Sequence, residues 1–489
     1  MVEVLVKKES NDKSRFYCKK TFYFVIISAT MGAIMFSLIF NNSFKSNLLF
    51  LQNSNILNVN RATLSFSKKN IFSNQIAISY LRRQKHQHSS KFHCTGAGNN
   101  INEWEYRLCI FKNTCYNKDT GRFEYFRLAQ SKSKPIFYDS AKGMLYQFST
   151  NNNKTGFVSL SMGGGTPFTP VIVNVTYPTK DFTRLHQLHS LFKTRFAPVN
   201  IGHGLWEEFG SISYSMERMN IADRKLVIMH LNKTVNTTLF CTYYQYVIGA
   251  LTDNPMVEFE AYMKSFNTKY VCFDNLLVGG HMIIFEIIQI KENHGREALF
   301  YNWRSKIIKY NGFDPNFIPK KHHIIITNKS DSVMKRPGAK RHRAIVNLKE
   351  VEIFIRTTYP NISTEVIEWH TIPFDKQIEK LLQTTILITP CGGVSLTLPM
   401  LPHGAHAIVM DYYVTDPLQG FNMGESGTMD GAFLNHISHV RKQYYQIYGR
   451  KEYEFDYARG GDARNQASII VNMARLQLLI DKALEEMEL

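Results

Sequence analysis

The sequence predicts an α/β protein in which two Rossmann-like domains face a cleft, preceded by one N-terminal transmembrane helix. Three observations carry this reading. Residues Thr21–Phe40 form an uncharged apolar run of bilayer-spanning length. Beyond it, short continuous apolar stretches alternate with helix-length ones in two series, the pattern of parallel strands covered on both faces. The second series also carries a basic loop and a glycine-rich turn close to its strand ends.

The 489 residues suit two or three domains, and 44% apolar with 13% aromatic residues supply a core and exclude wholesale disorder. Thr21–Phe40 lacks Asp, Glu, Lys and Arg, and at about 1.5 Å per helical residue it reaches across a hydrocarbon core of roughly 30 Å. Lys7, Lys8, Lys13, Arg15, Lys19 and Lys20 precede it, whereas only Lys45 follows closely. The positive-inside bias therefore keeps a tail of residues 1–20 in the cytosol and sends the remainder into the secretory lumen, as a single-pass type II protein of the Golgi or endoplasmic reticulum. A cleaved signal peptide is the competing reading, but its apolar core is usually only about 7–15 residues, and Asn41–Phe44 offers no small-residue cleavage site. Residues 41–90, rich in Asn, Ser and basic side chains, read as a stem.

Cys94, Cys109, Cys115, Cys241, Cys272 and Cys391 all follow the apolar run, an even number in an oxidising compartment. Cys109 and Cys115 are placed to close a short loop, although sequence leaves the connectivity open. No Cys-x-x-Cys pair supports a zinc or redox motif. Asn-x-Ser/Thr acceptors at Asn174, Asn328, Asn361 and elsewhere are compatible with secretion. Six basic and three acidic side chains in the first 20 residues account for +3 of the formal +18, leaving +15 beyond them. That excess favours anionic ligands such as nucleotide diphosphates or acidic glycans, with a generally Lys-rich composition as the plain alternative. Nucleic acid is not an expected partner in the lumen.

The first α/β region, residues 91–310, opens on the cysteine- and aromatic-rich Phe92–Phe126, read as a disulfide-tied β-rich entry. Strands are expected at Pro170–Tyr177, Lys225–Leu231 and Lys269–Val278, and helices at His186–Phe196, Ile201–Met219 and Thr238–Leu251. In the second, residues 311–489, strands are expected at Lys321–Thr327, Thr364–His370, Thr385–Thr389 and Ala405–Asp411. Helices are expected at Leu348–Thr358, Phe374–Gln383 and, as a closing element, Ala467–Met487.

Three stretches carry chemistry. Thr384–Tyr413 holds a buried strand that turns through Pro390-Cys391-Gly392-Gly393 toward a helix, where glycines admit a ligand to the backbone and amides at a helix start favour a diphosphate. A tight ligand-free turn explains the same residues. Lys335–Asn347 places Lys335, Arg336, Lys340, Arg341 and Arg343 ahead of a helix, either as a phosphate loop or as a solvated charge run. Asn200–Phe209 puts His203 and Glu207 four residues apart on one helix face, either to take an acceptor proton or merely as exposed polar groups.

The string Arg343-x-Ile345-x-Asn347-x-x-Glu350, the Gly392-Gly393 turn and Leu401-Pro402-x-Gly404-Ala405 together resemble glycosyltransferase family 61, as does the helix start Asn200-Ile201-Gly202-His203. The chain departs from the family pattern in having Cys391-Gly392-Gly393-Val394 at the turn, and Asn328-Lys329 where an arginine often follows the first strand of this half. The resemblance implies a GT-B-like arrangement with an acceptor-side N-terminal domain and a C-terminal domain binding a nucleotide-sugar, a UDP-sugar in the first instance. It further implies inverting, metal-independent transfer to a glycan or glycoprotein hydroxyl, without a cofactor. No Asp-x-Asp triplet occurs, and the single Glu454-x-Asp456 lacks a strand-end context. In this reading Glu207 or His203 is the catalytic base. Lys335, Arg343, Asn347, Gly392, Gly393 and Asp411 contact the donor, with Asn347 capping its helix or reaching the sugar nucleotide. The rival reading keeps the fold without the catalysis, as a lumenal glycan-binding partner protein.

Overall fold

A computed structural model describes residues 89–95, 107–127, 136–139, 144–147, 157–161, 166–193, 201–231, 244–280 except 245, 297–329, 343–410, 431–454 except 435 and 449, and 467–487. The expected tail, transmembrane helix and stem up to residue 88 lie outside these, as do Lys335 and Asp411. Among the described residues no helix is long and apolar enough to cross a membrane. All of them fall in one compact unit.

That unit is a mixed α/β structure built on two main sheets. The first begins with β1 (Lys91–Thr95), β2 (Leu108–Lys112), β3 (Thr114–Asn117) and β4 (Arg122–Phe126), the expected β-rich entry. Two small hairpins follow, β5 (Ile136–Asp139) with β6 (Met144–Gln147) and β7 (Val158–Ser159) with β8 (Pro167–Phe168). Then come β9 (Val171–Val173), β10 (Phe182–Phe192), β11 (Val227–His230), β12 (Val257–Glu258) and β13 (Tyr270–Gly279). Strands β12, β11, β10 and β13 lie side by side and parallel, and the entry strands β2 and β3 add to β13 antiparallel. In chain order the parallel set runs 3-2-1-4, so the strand order reverses beside β10.

Two corrections belong here. Residues 186–192 are strand, not helix: they are the second half of β10, the central strand. Leu185, Leu188 and Phe192 recur at near-helical spacing because the register against β13 shifts between Leu185 and Leu188, which breaks the two-residue alternation. Nor do Cys109 and Cys115 pair with each other. Cys94 bonds Cys109 and Cys115 bonds Cys272, each pair directly opposed across neighbouring antiparallel strands.

The second sheet is all parallel: β14 (His323–Thr327), β15 (Ser363–Ile367), β16 (Ile386–Pro390), β17 (His406–Met410) and β18 (Arg441–Tyr445), in the order β15-β14-β16-β17-β18. Strands β14, β16 and β17, rich in isoleucine and valine, are almost wholly buried, as expected of strands covered on both faces. Strand β15 ends at Ile367, shorter than expected, because Trp369–Thr371 coils into a 3-10 turn whose Trp369 indole donates to Thr327 Oγ1.

The helices are α1 (Gly210–Arg218), α2 (Phe259–Lys264), α3 (Glu297–Tyr310), α4 (Leu348–Thr358), α5 (Phe374–Leu382), α6 (Gly431–Leu434) and α7 (Met473–Glu486). One apolar core runs from Phe192 and Phe209 of the first sheet region through Trp303 of α3 to Ile325 and Leu387 of the second. Helix α3 is the seam. Its fully buried Arg304 donates to the carbonyls of Pro399, Leu401 and Pro315 at 2.7–2.9 Å. Burial pulls the Arg304 pKa down to about 10, which leaves the guanidinium charged at neutral pH.

Candidate active site

In an open parallel sheet a ligand sits beyond the carboxyl ends of the strands, where the strand order reverses. In the second sheet that point lies between β14 and β16: the chain goes from β14 to β15 on one side and returns to β16 on the other. Strand β14 delivers Asn328 and Lys329 there, and β16 delivers Cys391 and Gly392.

Lys329 Nζ donates to the Cys391 carbonyl at 3.3 Å. Gly392 adopts φ +102°, and a methyl group at its Cα would lie 2.6 Å from Arg343 Nη1 and 3.3 Å from Lys329 Nζ. Two cationic heads thus converge over a backbone turn whose residue needs glycine both for its φ and for the close approach. The turn is closed by the Ser395 amide and hydroxyl, which donate to the Gly392 carbonyl at 2.9 and 2.7 Å. Lys329 departs from the expected arginine, yet structurally it takes up the cationic position at the strand end. Its place two residues past β14 is the sequence signal that nominates it.

The expected helix after the glycine turn is only a six-residue 3-10 segment, Ser395–Met400, containing Pro399. Helix-dipole stabilisation therefore carries little here, and charge recognition falls to the two side chains. The Leu401-Pro402-x-Gly404-Ala405 string serves the packing of the fold. Pro399, just ahead of it, and Leu401 satisfy Arg304, and Gly404 turns at φ +83°. The Ala405 carbonyl accepts from the Arg441 amide as β17 and β18 begin.

Arg343 itself sits at φ +51°, a costly backbone for a residue with a side chain. Neighbouring backbone holds it: its amide donates to Ala467 O at 3.1 Å, and Val346 N donates to Ile469 O at 2.8 Å. Asn347 stands at the N-cap position of α4 but does not cap it. Its side chain is spent on Val471, donating to the carbonyl at 2.9 Å and accepting from the amide at 2.8 Å. This corrects the capping role expected of Asn347. Ile345 is buried in the core.

From the first sheet, the His203 and Glu207 side chains are hydrogen-bonded to each other, Nδ1 to Oε2. They lie on a π-helix, His203–Phe209, that leads into α1. With i→i+5 bonding, residues four apart fall just short of one turn and share a face. Both are partly open, with 29% of the His203 side chain and 13% of Glu207 exposed. This helix follows β10, the strand beside which the first sheet's order reverses. It is packed directly on the segment after Gly392: the Trp206 indole donates to Leu396 O at 2.8 Å, and a methyl on Gly202 would collide with Leu396. The helix that carries His203 and Glu207, through Gly202 and Trp206, and the Arg343–Lys329–Gly392 cluster therefore adjoin one short connection, Gly392–Met400. Gly393, partly exposed, belongs to that connection too.

Residues 186–408 match the family model described as Glycosyltransferase 61. That span of the chain is similar to glycosyltransferase family 61. The matched span runs from β10 to β17 and includes the His203–Glu207 helix, Lys329, Arg343 and the Gly392 turn. No curated protein matches the chain. The similarity supports a transferase acting between a sugar donor and an acceptor.

Proposed function

We propose that the protein transfers a sugar from a UDP-sugar to a hydroxyl of a glycan or glycoprotein with inversion, in a GT-B-like arrangement and without a metal ion. The observation that carries this reading is the convergence of Arg343 and Lys329 on the Gly392 turn at the switch point of the second sheet. Two cations there offset the charge of a leaving diphosphate, as a divalent metal does elsewhere.

Transfer is a single displacement. The acceptor oxygen attacks the anomeric carbon, the bond from that carbon to the diphosphate oxygen breaks, and UDP leaves with the electron pair. Glu207 takes the acceptor proton while His203, bonded to it, orients the carboxylate. We place the reaction in the Golgi or endoplasmic reticulum lumen, with Thr21–Phe40 as the anchor. Two disulfides favour an oxidising compartment.

The test is UDP release by the purified protein over a panel of UDP-sugars with and without chelator. Turnover that survives chelation and falls about 10²–10⁴-fold in Glu207→Gln is expected, on the scale of a lost general base. Full turnover in Glu207→Gln refutes the base assignment. UDP binding without release from any sugar favours the non-catalytic alternative.

A further inference from the structure

We infer that Asn347 is a positioning residue for the donor site, acting through Arg343 by locking the 343–347 segment onto the C-terminal segment 467–471. The inference rests on the proposed diphosphate role of Arg343 and adds what holds that side chain in place.

Residues 343–347 belong to no strand of the second sheet, yet they are bonded along their whole length to 467–471. Arg343 N donates to Ala467 O, Ala344 N to Ser468 Oγ at 3.3 Å, Ile469 N to Ala344 O at 2.8 Å, and Val346 N to Ile469 O. Asn347 closes the register with a two-pronged side-chain contact, its amide group both donating to and accepting from Val471. Without that final clamp the ladder frays from the helix end toward Arg343. Arg343 is the residue that depends on it most, because its left-handed backbone is tolerated only while its surroundings hold it there. A relaxed φ at Arg343 swings the guanidinium off the Gly392 turn. The partner strand is itself anchored: β20 (Ser468–Ile469) pairs with β19 (Tyr453–Glu454), and α7 follows, capped by Asn472 through the Arg475 amide. The C-terminal element thereby extends the donor site, though none of its residues is assigned to touch the donor.

The experiment is a double-mutant cycle on UDP affinity, using the full-length protein, Arg343→Ala, Asn347→Ala and the double variant, with thermal melts to confirm that each is folded. Arg343→Ala is expected to weaken UDP about 10–100-fold, as for loss of a charge-assisted contact. Asn347→Ala should weaken it several-fold in the wild-type background and leave it within about twofold when Arg343 is already alanine, since the effect passes through that side chain. Should Asn347→Ala not fold, Ser468→Ala, which removes one bond of the same ladder, replaces it in the cycle. If Arg343→Ala weakens UDP while Asn347→Ala leaves it unchanged, or acts additively, the positioning role is overturned and the diphosphate reading stands. If Arg343→Ala itself binds UDP like wild type, the underlying reading falls first.

Discussion

At Gly392 the backbone torsion and the neighbouring charges impose the same requirement. A side chain there is strained by the positive φ, at roughly 1–3 kcal/mol, and it also displaces Arg343 Nη1 from a position 2.6 Å away. Gly392→Ala should therefore lower the melting temperature modestly and weaken UDP binding by more than that loss of stability accounts for. Titration calorimetry beside thermal melts reads both, and retention of full affinity argues that Arg343 does not use this turn. Lys329 and Asn347 show what the sequence conceals at this scale. Both carry polar side chains near the site, but Lys329 reaches the turn and Asn347 is turned away onto backbone. No local pattern separates those fates, because the partner of each lies 62 or 124 residues further along the chain.

Among the elements, the second sheet is the most legible in sequence. Its buried strands are continuous runs of Ile, Leu and Val, and α4 occupies the expected Leu348–Thr358. Legibility fails where geometry departs from a simple period. The irregular register of β10 produces a helical spacing. Strand β18 (RKQYY) is a polar edge strand without the apolar run of its neighbours, so nothing in its sequence marks it as a strand. Helix α3 is marked in the sequence by Phe300, Trp303, Ile307 and Ile308, which form a buried stripe at helical spacing. The entry strands depend on a covalent tie: Cys115–Cys272 joins β3 to β13 across 157 residues. Replacing both cysteines by serine should cost about 2–5 kcal/mol, largely through a less restricted unfolded chain. Denaturant unfolding measures this, and an unchanged midpoint contradicts it. Cys94–Cys109, closing 15 residues, should matter less on the same argument.

Across the whole molecule, the two sheets share one core, with α3 and the Gly392–Met400 connection between them. Two buried histidines tie this packing to pH. Burial lowers the pKa of His189, in β10, to about 4, and that of His439, beside Arg304 and bonded to Pro399 O, to about 3. The unfolded chain takes up these protons near pH 6.5 while the fold refuses them until much lower. Stability is therefore full above about pH 6.5 and declines as pH falls toward 4 and then 3, by a few kcal/mol for each group. His189→Phe should flatten the upper part of that decline in melts between pH 7 and 4, and an unchanged slope contradicts the assignment. Nothing local in the sequence marks these histidines as buried; His189 is covered by Tyr262 of α2 and Phe273 of β13, and His439 by Tyr301 and Arg304 of α3.

The account turns on whether Arg343 and Lys329 hold a diphosphate over Gly392. The most direct measurement is calorimetric binding of UDP and of uridine to the wild type and to the Lys329→Ala/Arg343→Ala double variant. The wild type should prefer UDP over uridine by a wide margin. In the double variant that preference should collapse by about 10²-fold or more, at roughly 1.5–3 kcal/mol for each lost charged contact, with uridine affinity little changed. A double variant that binds UDP as tightly as the wild type contradicts the account.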